Sequence, residues 1–277
     1  MVRAPASPIS GPPLWWLLPT GEADGAWQMA CDAWLLQRAV AGCREPVLRF
    51  YRWRRPTLSL GYHQRQLEPH WPALAAAGQI DLVRRPSGGR AVLHAGSLTY
   101  ALIWPEAPRN RIVAYRRACG WLQAGFAGLG LPLQFGSRAG RGQPSNCFAL
   151  SSSADLCHAN GVKRVGSAQL WRRGQLLQHG SVLVAPPAAL WRQVFGSEPP
   201  ALPALPWPAL SHDPEAQLMA LEEHLIAAAR QRLPAALGLR PEGDQSPPRQ
   251  SPLAAAERAE IGAWPACRLP DLEDQPA

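Results

Sequence analysis

The chain has 277 residues, 47% of them hydrophobic and 17% charged, which gives enough length to bury a core and is too apolar for a disordered chain. A net charge of +8 suits an acidic partner, but no helix-turn-helix, zinc-finger or RNP-type segment accompanies it, so a nucleic-acid partner is set aside. No apolar run reaches the roughly 18 residues of a membrane span, and residues 14–18 lack the length and cleavage site of a signal peptide, so the expectation is a soluble, cytoplasmic protein with no membrane partner.

In chain order, residues 1–13 are rich in Pro and Ser and read as a disordered arm. A short strand over 14–19 precedes a helix that starts at Gly25, carries Trp27, Met29, Trp34, Leu35 and Val40, and ends at Gly42. Strands follow over 47–53 and 58–61, then a helix over 71–77 and a strand over 81–85. Residues 90–104 read as a hairpin, with strands over 91–93 and 98–103 about a His94-Ala95-Gly96-Ser97 turn. A helix over 112–129 leads into a glycine-rich loop at 136–145. A second hairpin pairs 162–170 with 176–184 about Arg172-Arg173-Gly174, which sets Gly166 roughly across from Gly180. The amphipathic helix over 218–233 is expected to stop at Pro234, and residues 236–277 read as a Pro-rich, poorly ordered tail. Hairpins mixed with long helices predict an α+β fold, a mixed and mostly antiparallel sheet flanked by helices, built from residues 14–235 as one domain.

Six cysteines stand at 31, 43, 119, 147, 157 and 267 with no CxxC pair among them, and the histidines are scattered, so no metal site is expected. Cys31, Cys43 and Cys119 fall in helical or helix-end patterns, where buried, inert thiols are the ordinary state. Lys and Arg total 28, yet only Lys163 is a lysine. Drift towards arginine explains the bias but not the exception, because Arg replaces Lys at solvated sites and not where a compact, tunable ammonium is needed.

Three segments carry candidate chemistry. Arg84-Arg85-Pro86-Ser87-Gly88-Gly89-Arg90 puts paired glycines at a strand end, where backbone can approach a ligand and the arginines can hold an anion; a tight basic turn would look the same. In Gly161-Val162-Lys163-Arg164-Val165-Gly166-Ser167-Ala168-Gln169, strand alternation puts Lys163, Val165, Ser167 and Gln169 on one face, leaving Gly166 and Ala168 on a nearly bare one. With Gly180 across from it, Gly166 would make a slot for a thin apolar chain; a bulge or close helix contact at these glycines would look the same. In Pro144-Ser145-Asn146-Cys147-Phe148, a cysteine between a glycine-rich loop and the lysine-bearing strand fits an activated thiolate, or an ordinary half-buried thiol.

Taken together, these segments resemble the biotin/lipoate protein ligase and octanoyltransferase superfamily. The likeness rests on the RRxxGGRAVLH…LTY block (84–100), the GxKxxGSAQ block (161–169) and the QHGS block (178–181), with smaller matches at Met29-Ala30…Asp32 and Leu58-Ser59-Leu60-Gly61…Gln64, and it spans roughly residues 14–235. Pro-Ser-Asn-Cys-Phe is similar to the Pro-Ser-Cys-Phe segment of the cysteine-dependent octanoyltransferase branch, with Asn146 and the serine run 151–153 as departures. A further departure is Ala95, where the family usually has an acidic residue after the block's histidine.

The resemblance implies an octanoyl-[acyl-carrier-protein]:protein N-octanoyltransferase of lipoate biosynthesis. Cys147 would take the octanoyl group as a thioester, and Lys163 would lower the thiol pKa and face the carbonyl oxygen. Arg85, Gly88, Gly89, Arg90, His94, Gly166, Ser167, Ala168, His179 and Gly180 would hold the substrate. The donor implied is acyl carrier protein; the acceptor is a lipoyl-domain protein such as glycine cleavage H protein or a 2-oxoacid dehydrogenase E2 subunit. A thioester is already activated, so no cofactor is implied. The alternative is an ATP-dependent lipoate–protein ligase, in which ATP and Mg would be needed, Arg85 and the Gly88-Gly89 turn would hold an acyl-adenylate phosphate, and Cys147 would be incidental. A third reading, a non-catalytic acyl-binding or carrier-docking module, leaves the co-occurrence of Cys147 and Lys163 without a purpose.

Overall fold

The computed structural model describes residues 15–136, 155–239, 248–250 and 252–264. Cys147, most of the 136–145 loop and the arm over 1–13 lie outside them.

Among the described residues the main sheet has seven strands: β1 (Trp16–Ala23), β2 (Val47–Trp53), β6 (Ser97–Trp104), β10 (Gln175–Leu183), β9 (Lys163–Arg172), β8 (Asp155–Cys157) and β7 (Gln134–Phe135), in that spatial order. A smaller sheet runs β4 (Asp81–Arg84), β3 (Thr57–Leu60), β5 (Val92–His94). Among the described strands β1–β2 and β3–β4 pair in parallel, joined by helices α1 (Gly25–Val40) and α2 (Trp71–Ala76), and the other strand pairs are antiparallel. This is the mixed, mostly antiparallel sheet flanked by helices that the sequence predicts.

Period-two alternation divides the main sheet between two faces. Leu48 and Phe50 of β2, Leu98, Tyr100 and Leu102 of β6, and Leu176 and Val182 of β10 pack against α3 (Arg111–Gly128) and α5 (Pro214–Leu237). The intervening Tyr51, Ala101, Ile103 and Leu177 pack against α1. Both faces of β6 are covered, which is why all eight of its residues are buried. Helix starts follow ordinary capping: Asp24, Asn110 and Asp213 accept from backbone N–H groups of the first turns of α1, α3 and α5. The smaller sheet packs with α2 and α4 (Ala188–Phe195) around Leu58, Leu60, Trp71 and Trp191.

Several local expectations give way. Residues 90–104 do not form a hairpin: β5 pairs with β3 and β6 with β2 and β10, so the chain changes sheets at Ala95-Gly96. Gly96 (φ +63°) makes the crossing possible, since a Cβ there would lie 2.0 Å from the Ala185 carbonyl oxygen. The first strand runs on to Ala23 because it pairs with β2 along most of its length. Pro234 does not end α5, which continues to Leu237. A proline in the last turns forfeits one backbone bond, and buried Leu233 and Leu237 carry the helix through to an αL cap at Gly238. Part of the expected tail is folded: Arg249 exchanges backbone bonds with Trp15 and Leu17, and α6 (Ala255–Gly262) packs on α1 with Ile261 fully buried.

The β9–β10 hairpin is present, closed by the two residues Arg173 and Gly174, both at positive φ. Its register places Gly180 opposite Ser167 and Ser181 opposite Gly166, one residue from the expected facing of the two glycines.

Candidate active site

A cleft of about 470 Å³, partly open to solvent, lies on the α1 side of the main sheet where it meets the smaller sheet. Of the ten residues expected to bind substrate, Arg85, Gly88, Gly89, His94, Gly166, Ser167, Ala168, His179 and Gly180 line it. Arg90 reaches the site only through its carbonyl, which accepts from Arg85 Nη2 at 2.7 Å. Met29, Tyr51, Ser59, Val92, Thr99 and Ser181 complete the lining and were not among the residues expected to bind substrate.

Two of the three arginines of the 84–90 segment, Arg84 and Arg85, bond backbone carbonyls. Arg85 donates to the carbonyls of Ser59 (2.8 Å), Gly88 (2.9 Å) and Arg90, and Arg84 to those of Gly61 (2.9 Å) and Gln64 (2.7 Å). They buckle the glycine turn to the 61–64 loop. Gly61 and Gly89 meet so closely that a Cβ on Gly61 would sit 1.8 Å from the Gly89 oxygen, and Gly89 itself has φ +100°. These glycines shape the cleft's rim by close backbone approach.

Beneath the cleft runs a buried polar network centred on Asp32 of α1. Its carboxylate accepts from Arg49 Nη1 (3.1 Å), the Tyr51 hydroxyl (3.0 Å) and His179 Nδ1 (2.8 Å), while His179 Nε2 meets Ser87 Oγ at 2.5 Å. The QHGS histidine thereby ties β10 to α1 and to the glycine turn. A second histidine, His94, stacks on Trp53 with centroids 4.0 Å apart and bonds Ser59 Oγ at 2.8 Å. Burial, helped by the Arg85 charge, holds His94 well below the usual imidazole range, so it is neutral.

Lys163 is buried and paired with Asp155 at 2.8 Å. A β-bulge puts it there. Leu156 faces Val165 but Cys157 faces Lys163, so Arg164 is an extra residue on β9. Arg164 lies over the Phe126 ring of α3 and Val165 enters the same α3/α5 core, two successive side chains on one face. The parity therefore reverses, and Lys163 joins the Gly166/Ala168 side, not the Val165/Ser167 side expected from simple alternation. Asp155, its partner, stands opposite the cleft-lining Gly166. Ser167 Oγ turns towards α3, bonding the Tyr100 hydroxyl at 2.8 Å, and together with Tyr100 it fills the space beside Gly180. The slot expected between two glycines is thus narrowed on its Gly180 side.

Burial pushes the thiol of Cys31 up to about 11 and that of Cys119 up to about 12, as expected of inert cysteines, while Cys43 is half-buried. Among the described residues, no three His, Cys, Asp or Glu side chains are grouped to hold a metal, and no helix is long and apolar enough to cross a membrane.

The mixed sheet, the glycine-turn cleft and the buried lysine beside it define a catalytic domain of the lipoyl ligase kind. Residues 24–200 match the family model of the lipoyl protein ligase A/B catalytic domain, and the chain belongs to that family. It is 37% identical over 183 residues to octanoyltransferase LipM of Lysinibacillus sphaericus, covering 61% of this chain and 66% of that protein. It is 40% identical over 182 residues to octanoyltransferase LipM of Staphylococcus aureus, covering 61% and 65%. These matches span just under two thirds of the relatives' length. Among solved structures, lipoate-protein ligase A bound with ATP shares the fold at a TM-score of 0.66 and 19% identity, over 90% of this chain and 92% of that one.

Proposed function

We propose that this protein is an octanoyl-[acyl-carrier-protein]:protein N-octanoyltransferase that passes its acyl group through a Cys147 thioester to a lysine of a lipoyl-domain protein. The observation that carries the reading is the Lys163–Asp155 pair. The chain's one lysine is buried at a bulge and held by Asp155, whose register partner is the cleft-lining Gly166. A compact ammonium fixed there suits a carbonyl oxygen on which negative charge develops. The identity to octanoyltransferases supports the same chemistry.

In this reading the Cys147 thiolate adds to the octanoyl thioester of acyl carrier protein and the carrier thiolate leaves. The acceptor amine then adds to the Cys147 thioester, gives up a proton and expels the thiolate as the amide forms. The thioester supplies the driving force, so neither ATP nor Mg takes part. The bonds of Arg85 to the carbonyls of Ser59, Gly88 and Arg90 weigh against the ligase reading, which needs Arg85 for an adenylate phosphate.

Intact mass spectrometry of the protein mixed with octanoyl carrier protein, without ATP, tests this. One octanoyl adduct is expected, removable by hydroxylamine, abolished in Cys147→Ser and kept in Cys157→Ser. A serine hydroxyl has far too high a pKa to replace the thiolate at neutral pH. An adduct that forms only from free acid and ATP would transfer the assignment to the ligase.

A further inference from the structure

Ser181 closes the Gln178–Ser181 motif, lines the cleft and is only 2% exposed, yet its Oγ has no hydrogen-bond partner among the described residues. A buried hydroxyl left unpaired is costly, because it gives up its bonds to water and gains none in return. The neighbouring hydroxyl on β6 is not in that position, because Thr99 Oγ1 accepts from Trp53 Nε1 at 2.8 Å. A cost of this kind is expected where the partner arrives with a ligand.

The strand register shows which part of the ligand that is. Thr99, Ser181, Gly166 and Asp155 are consecutive cross-strand partners on β6, β10, β9 and β8, one row across the sheet. Adjacent strands lie about 4.8 Å apart. Gly166 lines the cleft and brings no side chain to this row, between the Ser181 hydroxyl on one side and Asp155 with its bound Lys163 ammonium on the other. An oxygen over Gly166 has a neutral donor on one side and a charged donor on the other.

We infer that Ser181 is a catalytic residue whose hydroxyl, together with Lys163, binds the carbonyl oxygen of the acyl group above Gly166. The inference rests on the acyltransferase reading above and adds a second donor to it. When a thiolate adds to the thioester carbon, the C=O π pair moves onto oxygen, and that oxyanion accepts from Ser181 O–H and Lys163 N–H. As the C=O bond reforms, the carrier thiolate leaves with the electron pair of the breaking C–S bond. The same site serves the second step, in which the lysine amine adds, loses its proton and displaces the enzyme thiolate. Preorganised donors of this type act on the charge that develops, so their removal lowers kcat more than it raises KM.

The test is steady-state octanoyl transfer from octanoyl carrier protein to an E2 lipoyl domain by wild type, Ser181→Ala and Ser181→Thr, with Tm measured for each. Ser181→Ala should lose roughly 100-fold in kcat with little change in KM. Its Tm should stay level or rise, since an unpaired buried hydroxyl is removed. Ser181→Thr, which keeps the hydroxyl, should recover most of the rate. A Ser181→Ala enzyme with wild-type kcat overturns this inference and leaves the acyltransferase reading standing. A rate loss that tracks a fall in Tm and is not rescued by threonine also overturns it, assigning Ser181 to structure. A wild type that transfers nothing overturns the acyltransferase reading itself, and this inference with it.

Discussion

The two faces of the main sheet are built on opposite principles. Towards α3 and α5 the sheet presents a large apolar cluster, with Phe50 and Tyr100 edge-on to Trp121 at 5.7 and 5.4 Å. Towards α1 and the smaller sheet the same strands present Arg49, Thr99, His179 and Ser181, buried among Asp32, Gln28 and the cleft. Apolar packing returns stability in proportion to the area it buries. A face of buried charges and hydroxyls returns little stability, because desolvation offsets most of what its bonds supply. The difference teaches that one face holds the domain together while the other is arranged for a ligand.

Trp121→Ala breaks the comparison most sharply. The cavity should cost about 3–5 kcal/mol, read by chemical denaturation, while the folded fraction keeps its specific transfer activity. If activity per folded molecule also collapsed, the division of labour between the faces would be wrong. Lys163→Arg probes the other face with charge conserved. The planar guanidinium does not fit an ammonium-sized site beside Asp155, so transfer should fall roughly 100-fold, with a smaller loss of stability. An active Lys163→Arg enzyme would make the solitary lysine an accident of drift.

The smallest effect concerns pH, and each face contributes one neutral histidine. Burial and the adjacent Arg164 charge bring His158 down to about 4, and Arg164 Nε donates to its Nε2 at 2.9 Å. The unfolded chain takes up a proton at this position near 6.5 and the folded one only near 4, so the unfolded state binds more protons in between. Stability should be unaffected by this group above about pH 6.5 and should decline as pH falls from there towards 4. His94, held low by burial in the cleft wall, adds to the decline with the same sign. His158→Gln keeps an acceptor for Arg164 and should flatten part of that decline in urea melts at pH 7, 6 and 5. An unchanged slope would mean that His158 is charged in the folded state.

What could be read from the sequence was local. Strand and helix positions, the glycine turn and nine of the ten expected substrate-binding residues lie in short blocks whose chemistry is self-contained. What escaped depends on partners distant in sequence or on a single-residue shift. Hydrophobic alternation cannot fix a register through Gly166-Ser167-Ala168, because none of these side chains is large enough to choose a face. The bulge at Arg164 turns Lys163 to the other side, and Asp155 had no mark beyond being one of 20 acids. Asp32 was visible as part of a motif, but its bonds to Arg49, Tyr51 and His179 come from three elements that only the fold assembles. Residues 255–262 looked like tail because a single buried isoleucine, Ile261, docks a helix of otherwise polar and small residues.

The burial of Lys163 has a consequence for self-modification. A protein that carries an activated acyl group and makes lysine amides risks spending that group on its own surface. Here the one ε-amine in the chain is only 3% exposed and locked to a carboxylate, and the other 27 basic side chains are guanidinium groups, which do not acylate under such conditions. On the proposed reading, the enzyme offers its own thioester no competing lysine at the surface, so the acyl group waits for an amine that another protein brings.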